Sequence, residues 1–190
     1  DTMEFIRANM DKILVILTSV CSLAALLFAL LTARRVLKFS EGTDLMKKIA
    51  SSIRKGANAF LKRQYRIVLV FFGALFVILG AMALADWLSP FVPFAFVTGG
   101  FFSGMSGFIG MKIATHSNSR TANACRESLN KGLKVAFSAG SVMGFTVVGL
   151  GLLDTSLWFL LLRFGFGLDA SQISSAMLTF GMGASSMALF

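Results

Sequence analysis

Few residues in this chain are equipped to do chemistry, and they are widely spaced. One histidine, His116, two cysteines and nine carboxylates are all the chain offers for metal ligation or proton transfer. No cysteine or carboxylate stands at ligand spacing from His116, which reads as a surface side chain. Cys21 lies in an apolar run and Cys125 in a polar stretch; they make neither a metal motif nor a disulfide framework and read as small packing residues. Glu127 is the only acid between positions 112 and 134. Asp154 ends an apolar run and reads as a solvated cap rather than a proton carrier. Arg120 and Arg126 have the chemistry to meet a lipid headgroup or a phosphate, but snorkelling and interfacial anchoring is the preferred reading. A magnesium or phosphate site needs clustered carboxylates, and the acidic residues here are scattered, mostly at the ends of apolar runs. No catalytic, cofactor-binding or metal residue is therefore assigned.

The elements that would position these side chains are apolar. Hydrophobic residues make up 56% of the chain against 14% charged, and mean hydropathy is +0.77, outside the range of soluble domains. Long uncharged runs at about 13–33, 67–85, 91–111, 135–153 and 173–190 read as membrane helices, the last cut short by the end of the sequence. A secretory signal is the competing reading of the first run, but its apolar core is too long and Asp11 stands where a basic head belongs. A sequence that opens without Met and stops inside an apolar run is expected to be a piece of a longer protein.

Between the first two runs, 34–66 reads as a cytoplasmic amphipathic helix and loop. Thr43 or Asp44 would cap the helix, and Ile49, Ile53, Ala57 and Phe60 fall at helical spacing among lysines and arginines. The segment 112–134 reads as a cytoplasmic turn joining the third and fourth spans into a tight hairpin packed through their glycines. Trp87 suits a membrane interface. Gly140 and Gly144 form a GxxxG pair, a spacing that lets helices approach closely, with a dimer seam and an intrachain contact left open.

The chain carries a formal charge of +9. Segments 34–66 and 112–134 hold 15 of the 18 Lys and Arg; the others are Arg7, Lys12 and Arg163. This is the positive-inside pattern, not a nucleic-acid groove, and it puts the N-terminus outside the cytoplasm. The expected fold class is all-α: a polytopic transmembrane helical bundle of about five membrane helices.

Four blocks carry a family resemblance. IRKGANAFLKRQY at 53–65 resembles the opening of the second helix of membrane-integral pyrophosphatases. GFIGM at 107–111 with ATHSNSRTA at 114–122 resembles that family's junction between helices three and four. AFSAGSVMG at 136–144, followed by VVGL at 147–150, is similar to the fourth helix, and FGMGASSMALF at 180–190 to the start of the fifth. The resemblance implies a protein of the bacterial inner (plasma) membrane that couples hydrolysis of magnesium pyrophosphate to pumping of H+ or Na+. It implies a homodimer of long chains, in which the lipid bilayer and the remaining C-terminal helices are this segment's partners. The family's hydrolytic carboxylates, lysines and gate arginine follow the fifth helix, so none is carried onto this chain, which alone is expected to be inactive. The alternatives are a non-enzymatic membrane scaffold and half of a secondary transporter, the latter lacking a visible second repeat.

Overall fold

The computed structural model describes the backbone of residues 2–189, with the side chains of residues 10, 12–169 and 171–189. Arg7 and Asp11, weighed above for charge placement, lie outside the described side chains.

The backbone forms α1 (Thr2–Leu37), α2 (Asp44–Leu84), α3 (Val92–Glu127), α4 (Leu129–Leu160) and α5 (Ala170–Ala188), with a π-helical turn at Leu161–Gly165. Among the described residues there are no strands. Four stretches are long and apolar enough to cross a membrane: Lys12–Leu37, Asp44–Leu84, Val92–Glu127 and Leu129–Gly165. With α5 running back beside α3, the chain is an all-α transmembrane bundle.

The helices begin and end where local chemistry allows. Thr43, extended at φ −68° and ψ 164°, caps α2 by accepting from the Met46 N–H, and Asp44 instead pairs with Lys47 at 3.0 Å. Residues 44–84 contain no proline, so the amphipathic stretch and the second apolar run are one helix. At 41 residues α2 extends about 60 Å, roughly twice the hydrocarbon thickness, and its basic part projects beyond the bilayer. Its apolar positions Ile49, Ile53 and Phe60 are exposed rather than packed on the chain. Pro93 sits in the first turn of α3, where a missing N–H leaves no helical bond unmade.

The polar stretch 112–134 is helical, not a turn. No proline or glycine interrupts 112–131, so α3 runs on to Glu127 and the reversal takes one residue. Ser128 is extended at φ −164° and ψ 150°; its N–H donates to the Ala124 carbonyl, and its Oγ accepts from the Lys131 N–H and starts α4. Polarity without a breaker shows which part of a helix leaves the lipid, not where the helix stops.

α3 is the hub. α2 and α4 pack antiparallel to it, α5 packs parallel to it, and α1 packs along α4. At the basic end Val36, Val135, Val142, Ile113 and Ala124 are buried together; further along Val68, Phe72 and Phe96 form a second cluster, and Leu162, Ile173 and Ala176 a third. Ile13, Ile16, Leu17, Val20 and Leu23 of α1 stay exposed, as a lipid-facing surface requires.

Glycine does shape the packing, but mostly away from the GxxxG pair. A Cβ on Gly99 would meet the Phe180 carbonyl, and one on Gly183 the Phe96 carbonyl, so α3 and α5 touch backbone to backbone. Gly149 lets α4 close on Leu26 and the Ser22 carbonyl of α1. Around Gly140 and Gly144 there is open space, so among the described residues no helix closes tightly on that pair. In the α3–α4 hairpin only Gly110, against Met143, and Gly132, against Cys125, are close to the facing helix.

Candidate functional site

The charged groups that do come together lie at the basic end. Gly42, at φ +89°, turns the chain between α1 and α2 and brings Glu41 under both neighbouring helices. Arg54, on α2, donates to Glu41 through Nη1 at 2.9 Å and Nη2 at 3.3 Å. Arg120, on α3, reaches the same carboxylate at 3.0 Å and donates from Nε to the Phe39 carbonyl at 3.0 Å and from Nη1 to the His116 carbonyl. The hydrogen bond from Arg54 is the main influence holding the Glu41 carboxyl below its ordinary range; partial burial opposes it and the charge of Arg120 reinforces it.

Arg120 is thus an interior strut, only 11% exposed, rather than a snorkelling anchor or a free phosphate ligand. Its spacing along α3 carries no sign of this, because Glu41 and Phe39 reach it from a loop 80 residues earlier. Arg126 remains exposed. His116 is half-buried with Nδ1 2.8 Å from the Lys112 carbonyl, a bond within its own helix. Glu127 pairs with Lys131 across the start of α4.

A second polar group lies inside the bundle. Asp154 is 2% exposed, so the reading of a solvated cap at a helix end is corrected on both counts. Nothing breaks the helix between Asp154 and Leu160, and α4 continues past it, turning the carboxyl toward Thr98 of α3. The Thr98 hydroxyl accepts from Trp158 Nε1 at 2.7 Å and bonds the Ala95 carbonyl at 3.1 Å, while Asp154 Oδ2 has no partner. Nearer the middle of the bundle Ser22 donates to the Gly149 carbonyl at 2.8 Å, and Tyr65 donates to the Gly104 carbonyl at 2.6 Å. Each such bond joins two helices where lipid offers no competing water.

Metal chemistry finds little to use here. Among the described residues no three His, Cys, Asp or Glu side chains converge. Glu41 is committed to two arginines, Glu127 to Lys131 and Asp44 to Lys47, and Asp154 is enclosed in the bundle away from these three. These carboxylates do not fit a magnesium–diphosphate cradle, which needs several free oxygens around each ion. Cys21 and Cys125 are both exposed free thiols, not the buried packing residues expected. A cavity of about 800 Å³ between α2 and α3 is walled by Phe72, Phe76, Phe94, Phe101 and Phe108 and has no charged residue in its lining.

The family described as inorganic H+ pyrophosphatase matches residues 23–190. A Bacteroides thetaiotaomicron protein provisionally named as a K(+)-stimulated pyrophosphate-energized sodium pump is 52% identical over 95% of this chain and 26% of its own length. K(+)-insensitive pyrophosphate-energized proton pumps of Streptomyces avermitilis and Moorella thermoacetica are 37% and 41% identical, over 95% and 87% of this chain and 24% of their own lengths. The chain therefore spans about a quarter of the length of the curated relatives it matches. With its membrane-spanning helices, its basic end and this match along most of its length, the chain is an integral membrane protein belonging to the inorganic H+ pyrophosphatase family.

Proposed function

We propose that this chain is the N-terminal five-helix portion of an ion-translocating membrane pyrophosphatase of the bacterial plasma membrane. The complete protein hydrolyses magnesium pyrophosphate and uses the free energy to move Na+ or H+ across the bilayer. The observation that carries this reading is the family match over 23–190. The higher identity to the relative named as a sodium pump, 52% against 37% and 41% for those named as proton pumps, favours Na+ as the ion.

The part assigned to these residues is structural. Magnesium enters with the substrate and is held by carboxylates elsewhere in the polypeptide, since no three of the described ones here converge. This portion supplies the outer wall, through α1 and α2, and the α3–α4–α5 contact against which the catalytic helices pack. On its own it releases no phosphate. In the complete protein it works within a homodimer.

The test is pyrophosphate-driven transport by the full-length protein in sealed vesicles, with phosphate release followed alongside Na+ uptake and acidification. Magnesium-dependent phosphate release coupled to Na+ uptake is expected. Absence of pyrophosphate hydrolysis by the full-length protein would overturn the reading, and acidification without Na+ uptake would overturn the choice of ion. Phosphate release by residues 1–190 alone would overturn the structural role.

A further inference from the structure

At the basic end α1 and α4 leave a cleft of about 530 Å³ between them, with no residue of α2 in its lining. Its rim carries three cations: Arg35 in the last turn of α1, Lys38 just beyond it, and Lys134 near the start of α4. Among the described residues none of the three has an ion-pair partner; the nearby carboxylates Glu41 and Glu127 are engaged with Arg54, Arg120 and Lys131. Three unneutralised charges facing one cavity call for an anion.

The walls change character with depth. Thr32 and Ser138, also in the lining, stand one helical turn below the cations, about 5 Å further into the bilayer. Phe28 lies about 10 Å below Arg35, its ring edge-on to Phe145 at a centroid distance of 4.7 Å, and Ser141, at about that depth on α4, donates its hydroxyl to the Phe137 carbonyl of its own helix. Cation, hydroxyl and aromatic levels follow the order of phosphate, glycerol–ester and acyl chain in a glycerophospholipid. A free phosphate would use only the rim and leave the apolar depth to water or lipid.

We propose that the α1–α4 cleft binds one anionic glycerophospholipid, with its phosphate held by Arg35, Lys38 and Lys134 and an acyl chain against Phe28. The site is separate from pyrophosphate hydrolysis and does not depend on which ion is pumped. Bound there, the lipid bridges α1 and α4 where they leave the membrane.

The test uses the full-length protein in mild detergent and measures binding of phosphatidylglycerol and phosphatidylcholine by native mass spectrometry. Phosphatidylglycerol is expected to bind in preference. The triple variant R35Q/K38Q/K134Q should weaken it about 100-fold, from roughly fivefold per charge near a membrane surface. The charge-conserving R35K/K38R/K134R should stay within a few-fold of wild type, and K55Q/K62Q, which removes exposed charge from α2, should leave binding unchanged. Inorganic phosphate should not displace the lipid. Equal binding of the two lipids, an unaltered triple variant, loss of binding in K55Q/K62Q to the same degree, or displacement by inorganic phosphate would each overturn the proposal. So would a wild-type protein that holds no lipid there because another segment of the polypeptide fills the cleft.

Discussion

Glu41 shows how much one side chain can organise. It neutralises Arg54 of α2 and Arg120 of α3 together, and Arg120 in turn holds the Phe39 carbonyl. Removing its charge strands two guanidinium groups that are only 22% and 11% exposed. Glu41→Gln should therefore destabilise the full-length protein by about 2 kcal/mol, below the roughly 3–5 kcal/mol of a fully buried pair because water still reaches the cluster. The pH dependence has a definite sign. The folded-state pKa is lowered, so this stabilisation is fully present above the ordinary value of 4.5 and is lost as pH falls through the folded pKa. Thermal unfolding in detergent, followed from neutral pH into that acidic range, should show wild type and E41Q converging at the acid end. A constant gap at all pH values would show that Glu41 acts through packing rather than charge.

At the scale of helices, the decisive contacts are those where backbones touch. Gly99→Ala or Gly183→Ala drives a methyl into a carbonyl of the facing helix, and backbone cannot swing aside as a side-chain tip can. Each should cost about 1–3 kcal/mol by overpacking. Gly140→Ala and Gly144→Ala meet open space and should lie within about 1 kcal/mol of neutral, on the favourable side through helix propensity. Chemical unfolding of the full-length protein, reconstituted in lipid, separates the two pairs. Strong destabilisation by G140A would show that another helix or a second subunit covers that face, and a harmless G99A would remove α5 from its place beside α3.

For the whole molecule, the shared carboxylate of Glu41 ties both basic segments to one end of the bundle, and the Asp86–Trp87 turn is at the other. Ser52→Cys in an otherwise cysteine-free background, and native Cys125 in a background lacking Cys21, should both react with a membrane-impermeant maleimide from the same face of sealed vesicles. Asp86→Cys should react from the opposite face. Labelling of positions 52 and 125 from opposite faces would be incompatible with the α2–α3 packing seen here. The sequence by itself determined that the chain is helical, that it belongs in lipid and that its charges gather in two segments. These follow from composition and run length, because a backbone in hydrocarbon must satisfy its own hydrogen bonds and only a helix does so within one segment. The four motif blocks also made the family legible. Tertiary structure alone decided that Asp154 is enclosed, that Arg120 is a strut and that close glycine packing falls at Gly99 and Gly183 rather than Gly140 and Gly144. Burial and pairing depend on which faces of distant helices meet. Among helices that are apolar nearly all round, hydrophobic periodicity does not mark that face.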